Sequence, residues 1–555
     1  MQKKIKNLFS LILLFLFIIL KNYLVLADQI ENYIEPEKPS NFDYGQSKKK
    51  SSETQIIVTA NDYASEIGEK ILYKGGNVAD ATVAIQLTLG LVEPQSSGIG
   101  GGTFITYYDN TKKRVFFYDG REKAPQNINQ NIFLKNDGSK KKFFDAAIGG
   151  QSVGVPGTLE AIFKFHSDYG ILKWNDVIKP VIDLAEKGFH PPPRLLNALN
   201  KDKFLFNVNK NFLFNGVTNN PKKKIFNHEY SKTLKKISEN YRIFYEGSIA
   251  IDITKKVGEY KNNNSLSESD LKNFSIKKKD ALCFLLPNKV KICGPDLPSS
   301  GTICIAQVLK IIDYISKNKE IELSDILNIL DFVYYLREQF LADDKFVKVN
   351  IEKLTNMDFL IEGFSKYKAK KKSFLAEEIL NSTSHFSVVD KFNNVVSVTS
   401  SIESTFGSRL FVNGFFLNNQ LTDFSFKSIN KNKKLIKNRV QGGKKPLSSM
   451  SPLIIFDQDD NFLMSIGSPG GKAIISYVSR VLIDYLYLNK TLEISIKSPN
   501  YIKINGLIFL EDNSLKTEAK LNSKVRSLTS GIAIIVKKRK KIYGFADHRR
   551  DGTVR

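Results

Sequence analysis

The sequence predicts a mixed α/β chain with many β-hairpins. Short runs of β-branched and aromatic residues recur between Asn-, Asp- and Gly-rich turns, as in Leu453–Phe456 and Phe462–Ile466. Other runs keep apolar residues on one helical face, as at Ile474, Ile475, Val478, Val481 and Leu482 after Gly471. The chain has 555 residues, with 42% hydrophobic and 25% charged content. That is ordinary for a soluble globular protein with a sizeable core, built as one large domain or several smaller ones.

Residues 1–27 read as an export signal. Lys3, Lys4 and Lys6 precede an apolar run from Leu8 to Leu20, and Val25-Leu26-Ala27 offers a cleavage point before Asp28. The apolar run is shorter than the roughly 20 residues that a spanning helix needs. The expected location is therefore across the inner membrane, in the periplasm, with a membrane anchor at residues 8–20 as the alternative. Residues 28–55 are polar and lysine-rich and read as a linker.

The formal net charge is +25. Four lysines and no acids fall within residues 1–27, which leaves +21 for the exported part. The lysines are scattered rather than gathered on one basic helix with aromatic partners, so they read as solvated surface, not as a nucleic-acid site. Cys283, Cys293 and Cys304 fit no disulfide framework. An oxidising compartment allows one bond between two of them, and the sequence does not say which. His166, His190, His228, His385 and His548 show no ligand spacing, so no catalytic metal and no cofactor is expected.

In chain order, Ile56-Ile57-Val58-Thr59 reads as a strand. Asn61 or Asp62 caps a helix running to Lys74, with Gly75 as its stop. Asn77-Val78-Ala79-Asp80 opens a second helix to about Leu91, apolar on most faces and so buried. Gly98-Ile99-Gly100-Gly101-Gly102 marks a close backbone approach ahead of a strand from Thr103 to Tyr108. No Gly-Lys-Ser/Thr ends the glycine run, so it is no Walker loop. The lysine-rich stretch from Asp343 to Leu380 carries few fold signals and reads as a poorly ordered tail or an ordinary loop and helix.

The chemistry centres on Thr383-Ser384-His385-Phe386-Ser387-Val388-Val389-Asp390. A strand follows the threonine, Lys391-Phe392-Asn393-Asn394 makes a turn, and Val395 to Ser401 is a second strand. A threonine hydroxyl is a poor nucleophile until a base takes its proton. An N-terminal threonine carries that base as its own α-amine, whose pKa of about 7.7–8.0 leaves a useful neutral fraction near neutral pH. The expectation is that the chain cuts itself before Thr383.

The surrounding motifs carry a resemblance. They are Tyr118-Asp119-Gly120-Arg121-Glu122-Lys123-Ala124-Pro125, Ser152-Val153-Gly154-Val155-Pro156-Gly157 and Leu297-Pro298-Ser299-Ser300-Gly301-Thr302. Beyond Thr383 come Ser401-Ile402-Glu403-Ser404-Thr405-Phe406-Gly407-Ser408, Leu417-Asn418-Asn419-Gln420-Leu421-Thr422-Asp423 and Lys445-Pro446-Leu447-Ser448-Ser449-Met450. Gly467-Ser468-Pro469-Gly470-Gly471 and Asp547-His548-Arg549-Arg550-Asp551-Gly552 complete the set. In this order the sequence resembles the γ-glutamyltransferase family of N-terminal-nucleophile hydrolases.

The resemblance implies an α+β fold, a four-layer αββα sandwich formed jointly by a large fragment, 56–382, and a small catalytic fragment, 383–555. It implies that Thr383 attacks a γ-glutamyl amide, that Ser401 orients it, and that the backbone N–H groups of Gly470 and Gly471 hold the oxyanion. It places the donor's α-carboxylate on Arg121, Ser448 and Ser449, and its α-ammonium on Asp423, Gln420 and Glu403. Many members have asparagine where Glu403 stands. Implied substrates are glutathione and related donors, with water, amino acids or peptides as acceptors. The Lys- and Asn-rich stretch between Asp423 and Ser448 resembles the family's lid, and a weak lid would admit water to the acyl-enzyme. Two other readings are a glutaryl-type acylase of the same family and a non-catalytic surface-binding protein on the same fold.

Overall fold

Alternation along the Thr383 strand divides the molecule into its layers. On Ser382–Val389, Phe386 and Val388 pack into a helix-covered core, and Val389 packs into a separate core between two sheets. His385 lies against Gly467 of the other sheet, and Ser387 Oγ lies 2.7 Å from Ser465 Oγ. Thr383 shares the face of His385, Ser387 and Val389, because side chains two apart point the same way.

The computed structural model describes residues 47–202, 204–209, 213–260, 266–367, 382–519 and 523–555. The expected signal, residues 28–46 of the expected linker and residues 368–381 lie outside the described residues. No described helix is long and apolar enough to cross a membrane.

Two antiparallel seven-stranded sheets stack face to face. The first runs Thr553–Val554, Ile56–Thr59, Ser382–Val389, Val395–Glu403, Gly102–Asp109, Arg114–Gly120, Lys278–Asp280. The second runs Lys48–Ser52, Lys541–Ala546, Ala533–Lys538, Phe462–Gly467, Leu453–Phe456, Lys291–Gly294, Leu282–Leu285. Ile454 and Ile535 of the second sheet meet Val58 and Val389 of the first in the core between them.

Helices cover both outer faces. Val78–Val92 is buried at every residue, as its all-round apolar sequence predicts, and a capping box between Asn77 and Asp80 opens it. It lies between the first sheet and the helices Asp62–Tyr73, Thr158–Tyr169 and Trp174–Lys187. Gly301–Ser316, Leu323–Phe340 and Ile474–Leu486 cover the second sheet. The order is αββα, the four-layer sandwich that the resemblance implied.

One expectation changes, and two readings left open by the sequence are resolved. The end of the expected linker is a strand: Lys48–Ser52 pairs with Ile542–Ala546 at a sheet edge. An edge strand needs little burial, and its lysines keep further strands from adding. The stretch after Asp343 is helical at Ile351–Thr355 and Met357–Lys366, opened by Asn350 and Asn356, whose side chains accept from Lys353 N and Phe359 N. Those two caps were the fold signals in a run that otherwise read as lysine-rich loop. Of the three cysteines, Cys283 and Cys293 are bonded across a hairpin, and Cys304 is free and buried.

Candidate active site

Ser401 Oγ uses all of its hydrogen-bonding capacity at the Ser382–Thr383 junction. It donates to the carbonyl oxygen of Ser382 at 2.6 Å. It accepts from Thr383 Oγ1 at 3.3 Å and from the backbone N–H of Glu403 at 2.9 Å. A hydroxyl has one donor and two acceptor lone pairs, so none is left over. Glu403 supplies its N–H from a left-handed backbone, φ 80°, rare for a residue with a long side chain. The pairing of the two strands shifts register between Ser382 and Thr383, a bulge at the bond expected to break.

The glycine run sets this strand's position. Gly102 pairs with Ser401, and a Cβ on Gly101 would lie 2.2 Å from the Ser401 carbonyl oxygen. From the far side, Arg550 Nη1 donates to the carbonyl oxygen of Thr383 at 3.3 Å. His385 is not a base for Thr383. Its ring is on Thr399 Oγ1 at 2.9 Å, and burial pushes its pKa down to about 3, so it is a neutral packing element.

Gly470 and Gly471 stand on the loop that leaves Phe462–Gly467 and enters the Ile474 helix. Both have positive φ, 126° and 56°, and a Cβ on Gly470 would meet Tyr477 at 2.7 Å. A Cβ on Gly531 would meet both Pro469 and Arg550, so this loop and the arginine that reaches Thr383 converge there.

Arg121, Asp423 and Gln420 form one cluster. Arg121 Nη2 donates to Asp423 Oδ2 at 2.6 Å, and Gln420 Nε2 donates to the same oxygen at 2.6 Å. Arg121 is 1% exposed and also donates to the carbonyls of Pro446 and Leu447. Glu403 is buried and accepts from Ser404 Oγ and Asn419 Nδ2. Burial, and then the charge of Asp423, hold its carboxyl well above the usual range. Ser448 Oγ accepts from Met450 N at 3.2 Å, while the buried Ser449 Oγ has no partner among the described residues.

A cavity of about 400 Å³ opens beside this cluster, with Asp423, Glu403, Leu447 and Lys472 in its wall. The expected lid folds back over it. Ser425 N donates to Asn438 O, Ile436 N to Ser428 O, and Asn430 N to Lys434 O. Asn438 fastens the lid at both ends. Its Nδ2 donates to the Asp423 carbonyl at 2.8 Å, and its Oδ1 accepts from Leu447 N at 3.0 Å. The lid is a closed turn bordering the cavity, without a tyrosine.

Residues 64–555 match the family model described as gamma-glutamyltranspeptidase. The chain belongs to the γ-glutamyltranspeptidase family. It is 31% identical over 516 residues to the glutathione hydrolase proenzyme of Bacillus subtilis (strain 168), covering 86% of each chain. It is 30% identical to glutathione hydrolase 3 of Arabidopsis thaliana, over 88% of this chain and 80% of that one. Among solved structures, the γ-glutamyltranspeptidase of Helicobacter pylori matches at TM-score 0.51 and 25% identity, over 61% of this chain and 96% of that one. A cephalosporin acylase from Bacillus halodurans matches at TM-score 0.79 and 18% identity, over 93% and 98% respectively, a likeness of fold alone.

Against this γ-glutamyltranspeptidase background, the structure adds residues to the predicted site. Asn419, Asn438 and Arg550 hold Glu403, the lid and the Thr383 carbonyl. Asn419 and Arg550 lay inside motifs already singled out, but nothing in a sequence says which atom a motif residue reaches. Glu122, next to Arg121, is fully buried, and neither carboxyl oxygen has a hydrogen-bond partner among the described residues. Burial pushes its pKa up to about 8 against the opposing pull of Arg121.

Proposed function

We propose that this chain is a glutathione hydrolase and γ-glutamyltransferase made as an uncut precursor. The observation that carries the reading is the sharing of Ser401 Oγ between Thr383 Oγ1 and the Ser382 carbonyl oxygen. That hydroxyl sits where negative charge develops when Thr383 Oγ1 adds to the Ser382 carbonyl carbon. The C–N bond then breaks, the nitrogen gains the proton that Thr383 Oγ1 gave up and becomes the free α-amine, and water hydrolyses the resulting ester. Two fragments, 28–382 once the signal is removed and 383–555, remain in one sandwich, and the new α-amine of Thr383 is the base that an internal threonine lacks.

In the cut enzyme, Thr383 Oγ1 attacks the γ-amide carbon of the donor while its α-amine takes the proton. The N–H groups of Gly470 and Gly471 receive the oxyanion, a role that needs close backbone approach and no side chain. The departing amine takes the proton, and the γ-glutamyl ester passes to water, an amino acid or a peptide. Arg121 takes the donor's α-carboxylate as a forked pair, helped by Ser448 and Ser449. Asp423, Gln420 and Glu403 take its α-ammonium. The basic N-terminus and the run Leu8–Leu20 support export, with the periplasm as destination.

The acylase reading is disfavoured by Asp423 beside Arg121, because a glutaryl group has no ammonium for that carboxylate. The test is release of the amine from glutathione and from a γ-glutamyl anilide. Wild type should turn over both, and Thr383→Ala neither. Activity in the alanine variant would refute the reading.

A further inference from the structure

The Leu323–Phe340 helix falls in the larger of the two proposed fragments, yet it holds loops of the smaller one. Its first hold is Tyr334, which is 1% exposed. Tyr334 Oη donates to the carbonyl oxygen of Lys472 at 2.6 Å and lies 3.1 Å from Ser476 Oγ. Burial raises the Tyr334 pKa, so the phenol keeps its proton and stays a donor. Lys472 directly follows Gly470 and Gly471, both at positive φ. Glycine moves easily between conformations, so N–H groups that must aim at one point need an anchor close by. Ala473 N, donating to Gly470 O at 3.0 Å, closes the turn from within. Tyr334 fixes it from outside.

The second hold is Arg337, three residues on and so on the same face of the helix. Its Nε donates to Ser300 Oγ at 2.8 Å, and Ser300 Oγ donates to the Ser448 carbonyl oxygen at 2.7 Å. Backbone bonds seat the same turn. Ser448 N donates to Pro298 O and Ser300 N to Ser448 O, each at 2.9 Å. Just past the helix, Asp343 Oδ2 accepts from Lys445 N at 2.8 Å. These chains of bonds end on the backbone of the two loops, and none ends on a side chain proposed to bind the donor.

We propose that Tyr334 and Arg337 are positioning residues, which set the oxyanion loop and the carboxylate-binding turn at a fixed separation along one helix. The inference rests on the reading above, in which Gly470 and Gly471 meet the acyl oxygen and Ser448 and Ser449 the α-carboxylate. Those two ends of a γ-glutamyl group are joined by a short chain of bonds. Two loops fastened to one helix therefore present its acyl carbon to Thr383 in one place, which is where orientation lowers a barrier. Tyr334 acts where charge develops on the acyl oxygen, and Arg337 acts on the hold upon the carboxylate. The bonds made and broken are those of the acyl transfer already described. The smaller fragment by itself lacks both anchors.

The test uses the processed two-fragment enzyme, a γ-glutamyl anilide as donor, and two boronic acids that mimic the tetrahedral adduct. These are 2-amino-4-boronobutanoic acid and 3-aminopropylboronic acid, which differ by the α-carboxylate. Tyr334→Phe keeps the ring and its packing and removes one hydrogen bond. It should lower kcat about 3- to 10-fold with KM little changed, and weaken both boronates by the same factor. Loss of active enzyme alone would lower kcat but leave both inhibition constants where they are. Arg337→Gln should raise KM by a similar factor and weaken the carboxylated boronate only. Ser300→Ala cuts the same link from its other end and should give the same pattern, which keeps the test open if Arg337→Gln does not fold. Unchanged boronate affinities in Tyr334→Phe, or equal losses on the two boronates in Arg337→Gln or Ser300→Ala, would overturn the proposal. A wild type that does not turn over the anilide would instead overturn the γ-glutamyl reading, and the positioning roles with it.

Discussion

Arg121 Nη2 lies 2.6 Å from Asp423 Oδ2, so the two groups proposed to bind the donor are paired with each other. Arg121 is 1% exposed at its side chain and Asp423 16%. A buried ion pair broken on one side leaves an uncompensated charge. A zwitterionic donor avoids that, because its carboxylate and ammonium give each partner a replacement. A glutaryl group replaces only one. On the proposed roles, the pairing selects for α-amino acids.

Asp423→Asn keeps the size and removes the charge. The expected loss in kcat/KM for a γ-glutamyl anilide is about 10- to 200-fold, from the roughly 1.5–3 kcal/mol of a charged hydrogen bond. A glutaryl anilide should be hydrolysed no worse than before. Self-cleavage should proceed, since the junction at Thr383 does not use Asp423. Equal losses on both anilides would assign Asp423 no role in reading the ammonium.

Ser401→Ala removes the donor to the Ser382 carbonyl and the acceptor for Thr383 together. Loss of one such donor typically costs about 2.7–4 kcal/mol of barrier, or 10²- to 10³-fold in rate. Pulse-chase gels should show precursor accumulating in the alanine variant, with Ser401→Thr cutting faster than Ser401→Ala. Precursor half-lives equal to wild type in the alanine variant would remove Ser401 from the cleavage step.

Much of this site was legible in the sequence because strands impose a period of two. Thr383, placed next to a β-forming run, had to share a face with His385 and Ser387, and the following strand had to return Ser401 opposite it. Gly101 and Gly102 were legible as close approach, since their Cβ positions are filled by Ser401 and Glu122. The edge strand Lys48–Ser52 was not, because five mostly exposed residues carry no apolar alternation. The lid's closure was also hidden. It depends on Asn438, whose partners are the backbone at Asp423 and Leu447, and backbone partners leave no mark in sequence. The Arg121–Asp423 pair joins residues 302 apart in the chain, which no local pattern reports.

Glu122 gives the fold a pH dependence. Its carboxyl is raised from 4.5 to about 8, so the folded chain keeps a proton that the unfolded chain releases. Stability therefore falls as pH rises across that window, by about 1.4 kcal/mol per pH unit at most. Glu122→Gln cannot ionise and should escape the fall. Relative to wild type, its melting temperature should improve between pH 5 and pH 8.5. A difference that stays the same at the two pH values would mean that Glu122 is ionised throughout.

The direct measurement of the central claim is N-terminal sequencing of the smaller fragment of the purified protein. The account predicts two bands on a denaturing gel, with the smaller fragment beginning Thr-Ser-His-Phe at Thr383, and a single uncut band for Thr383→Ala. A fully active single chain, or a fragment beginning at any residue other than Thr383, would contradict it.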